Sequence, residues 1–279
     1  MSGAPDMAAL EAKVAKSSFY AAMKMMPPRE RAGMFAIYAF CRAVDDIADD
    51  QQGDRALRKA QLDAWRTDLD SLYAGGAPGQ CAFLAEAVRD FDLQKPDFVA
   101  IIDGMQMDVD ADIVAPDHAT LDLYCDRVAS AVGRLSVKVF GMDQGEGIAL
   151  AHHLGRALQL TNILRDLDED AGIGRLYVSS DALKHAGVTA SDPAAVIADP
   201  RIDAAARVLA AEARQHYAEA DAVMRSARRG QLKAPRLMRA AYGKILERMQ
   251  EKGWAAPRHR VSLSKAEKIW LLVRHGLMP

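Results

Sequence analysis

The chain has 279 residues, half of them hydrophobic, and a net charge of −2 with its lysines and arginines scattered. That is ample for a large core at a length of one or two domains, and it excludes a basic nucleic-acid footprint. Cys41, Cys81 and Cys125 are far apart and match no zinc or disulfide spacing. No basic start leads into an apolar secretory core, and no apolar run approaches the roughly 20 residues of a membrane span. A reducing cytoplasm is the expected setting.

Ala8 to Met26 reads as a helix, ended by Pro27 and Pro28. Arg29 to Asp50 reads as a second, with Met34, Phe35, Ile37, Phe40, Val44 and Ile47 around it. Through that apolar surface runs a stripe of Tyr38, Arg42, Asp45 and Asp49, at spacings of 4, 3 and 4, with Asp46 beside it. Gln51 to Tyr73 is a polar helix on a line of Leu57, Leu62, Trp65, Leu69 and Leu72, and Ala74 to Gln80 is a Gly/Pro loop. Cys81 to Phe91 and Pro96 to Val109 are two more helices. The run Asp108 to Asp112 fails as a calcium loop, because position six is Ile113 rather than Gly and position twelve is Ala119 rather than Glu. It reads as a solvated helix end.

Leu121 to Phe140 is a helix with Leu121, Tyr124, Val128, Val132, Leu135 and Val139 facing in, and with small Ala129, Ser130, Ala131 and Gly133. The small residues leave room for an apolar ligand or allow close helix packing. The helix from Gly155 runs to Asp170, stopped by Gly172 and Gly174. Leu160, Ile163, Leu164 and Leu167 make it apolar on most sides, so it is buried. Gln159, Asn162, Asp166 and Asp170 line its remaining face at spacings of 3, 4 and 4. Gly172 to Tyr177 is a short flexible link placed to close over a bound anion, with Arg175 contributing charge. Pro193 to Pro200 is a loop. Ile202 to Arg229 and Pro235 to Lys252 are helices, His216 on the first being structural or surface rather than a ligand. Arg258, Arg260, Lys265 and Lys268 form a basic patch. No alternating Val/Ile/Thr run suggests a sheet, so the fold is expected to be all-α, with residues 1–279 as a single helical bundle around a central cavity.

Aspartates one turn apart, about 6 Å of rise, repel unless a cation lies between them. Mg²⁺ suits such a pair, because it takes hard oxygen ligands and completes its shell with water and phosphate oxygens. A solvated acidic helix end is the alternative for one pair. Two pairs together favour two or three Mg²⁺ ions held against one diphosphate, a leaving group.

Tyr38-x-x-x-Arg42-x-x-Asp45-Asp46-x-x-Asp49 and Gln159-x-x-Asn162-x-x-Arg165-Asp166-x-x-x-Asp170 resemble the squalene and phytoene synthase family. The resemblance runs from about Ser17 to about Lys268. The stretches at Ser18-Phe19-Tyr20, Ile37 to Asp49 and Tyr124 to Ser136 are most similar to bacterial presqualene diphosphate synthases of hopanoid biosynthesis. The resemblance implies the isoprenoid synthase type I fold and head-to-head condensation of two farnesyl diphosphates. It implies Asp45, Asp49, Asn162, Asp166 and Asp170 as Mg²⁺ ligands. Tyr38, Arg42, Tyr124 and Arg165 are implied as catalytic residues. Ser18, Phe19, Gln159, Arg175, Tyr177, Tyr242, Arg260 and Lys268 are implied as substrate contacts, and the small residues of the Tyr124 helix as part of a prenyl pocket. The proton acceptor is left open between Tyr38, Tyr124 and the released diphosphate.

No Gly-x-Gly-x-x-Gly follows a strand, so NADPH is not expected and the reaction is expected to stop at presqualene diphosphate. A complete squalene, dehydrosqualene or phytoene synthase is the alternative. No Glu is followed three residues later by His, which sets aside a di-iron carboxylate bundle. A non-catalytic member of the same fold is disfavoured by the two intact aspartate pairs, since buried carboxylates without a use are costly. A single-substrate terpene cyclase is disfavoured by the resemblance alone. Transient contact with the membrane surface is expected from so apolar a product, as are partner enzymes that consume it.

Overall fold

The computed structural model describes residues 23, 26–49 and 54–276. Most of the first expected helix therefore lies outside the described residues, and Ser18 and Phe19 with it. The described chain folds as helices α1 Pro28–Asp49, α2 Arg55–Tyr73, α3 Ala85–Phe91, α4 Lys95–Asp110, α5 His118–Cys125, α6 Ala131–Val139, α7 Gln144–Arg165, α8 Leu167–Gly172, α9 Ser180–His185, α10 Pro193–Ala198, α11 Ile202–Ser226, α12 Lys233–Lys252 and α13 Lys265–Gly276. A 3₁₀ turn, Gly79–Leu84, precedes α3. No strand forms among the described residues, only one parallel bridge between Val114 and Leu176. The all-α expectation holds.

Local chemistry sets these boundaries. Pro28 opens α1 where its missing N–H costs nothing. Asp54, Asp117 and Asp192 cap α2, α5 and α10 through side-chain oxygens. The Asp192 cap and Pro193 make a helix of a stretch that reads as a loop, because six residues are too few to show a periodicity. The core between α1, α2 and α4 is keyed by Phe40, whose ring meets Trp65 and Phe98 edge-on at 5.6 and 5.0 Å.

α7 occupies the middle, packed by α5, α6, α11 and α12. Two glycines let it sit that close. A Cβ on Gly155 would fall 2.7 Å from Cα of Ser130, and one on Gly133 would fall 3.0 Å from Cα of Ala151. The small residues Ser130 and Gly133 thus serve helix packing, which corrects their assignment to a prenyl pocket. The helix expected over Leu121 to Phe140 also contains a π turn at Asp126–Ser130. Arg156 of α7 grips this turn, bonding Asp122, Asp126 and Ser130 at 2.6 to 3.1 Å from a buried position. A buried guanidinium with three partners makes the α5–α7 contact directional as well as apolar.

Candidate active site

The polar stripe of α1 stands as its spacing requires. Arg42 donates to Asp45 at 2.8 Å and pairs with Asp46 at 2.6 Å. Asp49 ends the helix, half exposed, and accepts from Nη1 of Arg175 at 3.0 Å. Nη2 of Arg175 donates to the carbonyl of Ala48 at 3.1 Å, answering one of the unpaired carbonyls of the last turn.

α7 brings the second stripe, with one difference from the expectation. The helix does not run unbroken to Asp170. It stops at Asp166, whose backbone turns to φ −106°, ψ 20°, and α8 restarts at Leu167. The break coincides with two guanidinium pairs on one carboxylate. Arg165 forks onto Asp166 at 2.8 and 2.6 Å, and Nε of Arg260 reaches it at 2.7 Å. Arg260 also lies 3.4 Å from Glu169. Tyr242 of α12 places its ring 5.9 Å below the Arg165 guanidinium. Beside this group a recess of about 280 Å³ is lined by Arg165, Lys252, Arg258, His259 and Arg260.

One residue ties the two aspartate motifs together. Arg175 holds Asp49 through its side chain, while its backbone N–H donates to the carbonyl of Asp170 at 2.9 Å. The segment carrying it is not a flexible link. Leu176 exchanges backbone hydrogen bonds of 2.8 Å with Ile113 and Ala115, and Arg175, Leu176 and Tyr177 are all buried. Gly174 turns the chain at φ +81°, where a side chain would be strained.

The run from Asp108 also needs correction at its first residue. Asp108 is 3 % exposed and accepts from the hydroxyls of Tyr124 at 3.0 Å and Tyr177 at 2.7 Å. The two rings stack 4.8 Å apart. Asp108 falls in the spacing Phe98, Ile101, Met105, Asp108, all buried on α4. A carboxylate in register with an apolar stripe was the signal, and the acidic residues that follow it obscured it. Burial raises the pKa of Asp108, and Arg175 and the two phenols oppose it. The Tyr124 hydroxyl is held well above its ordinary range by burial and by the nearby Asp108 charge.

The remaining residues fall as follows. Tyr38 sits half-buried on α1 one turn before Arg42, and burial, outweighing Arg42, raises its pKa. Gln159 accepts from Nδ2 of Asn162 at 3.4 Å. Lys268 stands on α13, which packs against α12.

Three observations test whether these residues suit a divalent cation. Oδ1 of Asn162 is buried with no hydrogen-bond partner. Asp45 is pushed up to about 7 by burial and by Asp49, against the pull of Arg42. Asp170 is pushed up to about 7 by burial and by Asp166, with Asp108 and Asp49 adding and Arg175 opposing. Burial works the same way on Asp166, but hydrogen bonds from Arg165 and Arg260 outweigh it and leave its carboxyl below the usual range. An unpartnered amide oxygen and crowded carboxylates are a hard-oxygen donor set, and hard divalent cations fit it.

The crowding sets a pH dependence. Free of cations, folded Asp45 and Asp170 hold protons up to about 7, whereas an unfolded aspartate releases its proton near about 3.9. The folded state binds more protons across that window, so the stability they contribute is present below about pH 4 and is lost as pH rises through about 7. We expect the melting temperature of chelator-treated protein to fall from about pH 5 to about pH 8, and Mg²⁺ to raise it most at the upper end. Asp45→Asn with Asp170→Asn should flatten both trends. A wild-type curve that matches the double variant at every pH would refute the crowding.

The family model for squalene/phytoene synthase matches residues 12–267. The presqualene diphosphate synthase of Zymomonas mobilis is 56 % identical over 258 residues, covering 92 % of this chain and 88 % of that one. That of Rhodopseudomonas palustris is 53 % identical, covering 98 % of both. A crystal structure of a dehydrosqualene synthase in complex with ligand superposes with a TM-score of 0.82 at 25 % identity, covering 97 % of this chain and 95 % of that one. The helices are those of the isoprenoid synthase fold, and the chain belongs to the squalene/phytoene synthase family.

Proposed function

We propose that the protein joins two farnesyl diphosphates head to head, releasing diphosphate and giving presqualene diphosphate, as a step of hopanoid or squalene biosynthesis. The observation that carries this reading is the convergence of Asp45/Asp49 with Asp166/Asp170 through Arg175, beside the unpartnered oxygen of Asn162. Relatives above 50 % identity bearing that name support the choice of product. We take residues 1–279 as one domain, since the family match crosses the Gly/Pro loop without interruption.

Asp45, Asp49, Asn162, Asp166 and Asp170 would hold two or three Mg²⁺ ions, which would neutralise the charge that builds on the departing diphosphate. Arg42, Arg165, Arg175 and Arg260 each pair with one of these aspartates or its neighbour. With such ions on the carboxylates, those guanidiniums would be available to fork onto phosphate oxygens. The allylic cation left behind is attacked by the double bond of the second farnesyl chain, and loss of a proton closes the cyclopropane. We assign that proton to Oη of Tyr124, which passes its own to Oδ2 of Asp108 along their 3.0 Å hydrogen bond. Asp108, through its second bond to Tyr177, holds Tyr124 in place. Ser18, Phe19, Gln159, Tyr177, Tyr242 and Lys268 stand as substrate contacts in this scheme, and Tyr38 as a catalytic residue one turn before Arg42. Reduction to squalene with NADPH is left to another enzyme, a consumer of presqualene diphosphate.

The setting we infer is the cytoplasm, with reversible contact at the inner membrane surface. Among the described residues no helix is long and apolar enough to cross a membrane. α13 exposes Ile269, Trp270 and Val273 on one face, with Lys244 and Arg274 within 5.9 and 5.0 Å of the Trp270 ring. An aromatic edged by cations suits an anionic lipid surface.

Purified protein given Mg²⁺ and labelled farnesyl diphosphate should form a phosphorylated C30 product that persists when NADPH is added. Squalene appearing with NADPH would move the second step onto this chain, and turnover of geranylgeranyl diphosphate alone would move it to phytoene synthesis. Asp108→Asn and Tyr124→Phe should each lower kcat by about 10²-fold, and the double variant should be no worse than the worse single, as expected of a relay acting as a unit. Multiplying losses would separate the two residues. Trp270→Ser should reduce sedimentation with anionic vesicles and leave neutral ones unchanged; equal binding of variant and wild type to anionic vesicles would remove α13 from the membrane contact.

A further inference from the structure

α7 and α11 form a long contact, and one polar cluster in it takes no part in the proposed reaction. His152 and His153 are consecutive on α7, and His216 faces them from α11. One ring nitrogen of each lies within 4.8 Å of the others. Nδ1 of His153 and Nδ1 of His216 are 3.0 Å apart, and the three ring centroids lie 4.7 to 5.8 Å from one another. In the sequence His216 stands alone and reads as a structural or surface residue. Its partners sit 63 and 64 residues earlier and become visible only when α7 and α11 pack.

The electrostatics favour lone pairs over protons here. Burial, then His153 and His152, lower His216 to about 4. Burial and Arg156 lower His152. Asp122 opposes the shift at both rings, and Asp126 opposes it at His152. Arg156 itself is neutralised by those two aspartates. Glu212, one turn before His216, is engaged by Nε2 of His118 at 3.2 Å. No carboxylate belongs to the three-histidine cluster.

We propose that His152, His153 and His216 bind a borderline transition-metal ion, Zn²⁺ or one of similar preference, that staples α7 to α11. Imidazole suits such ions, whereas Mg²⁺ takes oxygen ligands, so this site and the aspartates would not compete for one metal. Zn–N bonds of about 2.0–2.1 Å set two ligand nitrogens about 3.3 Å apart at a tetrahedral angle. The observed 3.0 Å needs only a small opening of the His153–His216 pair. His152 is exposed, which leaves an entry path and a fourth position for water. A metal there would add to the apolar contact between α7 and α11 and to the 2.9 Å hydrogen bond between Thr161 and Tyr217.

The test uses full-length protein stripped with chelator and returned to saturating Mg²⁺, so that the aspartates are filled. Calorimetry with Zn²⁺ should give one equivalent of tight binding and a rise in melting temperature. Co²⁺ should give the intense visible bands of a four-coordinate nitrogen site. His216→Gln should weaken Zn²⁺ binding by more than the roughly 10- to 100-fold that loss of an outer-shell partner costs. His152→Gln, at an exposed position, should do the same, while Asp166→Asn with Asp170→Asn should leave the Zn²⁺ equivalent intact. Zn²⁺ binding unchanged by both histidine variants, no Zn²⁺ equivalent in the wild type, or only weak six-coordinate Co²⁺ absorption would overturn the site.

Discussion

Carboxylate crowding is the constraint around which this molecule is built. Asp45, Asp49, Asp108, Asp166 and Asp170 are close enough to perturb one another, and most are largely removed from water. Without compensation such a set would drive the helices apart. The protein compensates with guanidiniums that arrive from four directions: Arg42 from within α1, Arg165 from the end of α7, Arg175 from the pinned segment after α8, and Arg260 from the loop after α12. The compensation is incomplete at Asp45 and Asp170, and these are the positions where a cation has most to gain.

The backbone around the site serves that charge arrangement. Arg175 can hold Asp49 only because its segment is bridged to Ile113 and Ala115 and turned by Gly174. Asp166 can take two guanidiniums only because α7 ends there. The close approach of α7 to the π turn, permitted by Gly155 and locked by Arg156, fixes the helix that carries Gln159 and Asn162. Rigid placement matters for a carbocation reaction, since binding groups must be in position before charge develops.

The sequence made the two aspartate stripes legible because each repeats at helical spacing on an otherwise apolar helix. Tyr38, Arg42, Asp45 and Asp49 needed no tertiary information, nor did Gln159 and Asn162. What escaped depends on contacts between distant segments. Asp108 looked solvated because its neighbours Asp110 and Asp112 are, while its phenol partners lie 16 and 69 residues away. The Gly172 to Tyr177 link looked mobile because glycines commonly mark mobility, and its bridge to Ile113 has no local signature. The small residues near Ser130 allowed two readings, and only the position of α7 decides for packing. α10 and α13 carry weaker local signals: one is only six residues long, and the other stands out in the sequence mainly for its basic residues.

The same guanidiniums also let this crowded set of carboxylates fold together, each arginine neutralising part of it. Each arginine has an aspartate partner in this structure and, in the proposed scheme, would have a phosphate oxygen as its second. In the proposed scheme, exchange of one for the other would keep each guanidinium paired, so binding would not begin by exposing a bare cation to a low-dielectric interior. On the proposed scheme substrate and metal would be cooperative, because Arg165, Arg260 and a cation would all draw on the one Asp166 carboxylate. Lysine would serve this exchange less well, since the fork that grips Asp166 at 2.8 and 2.6 Å is the geometry that matches a phosphate edge.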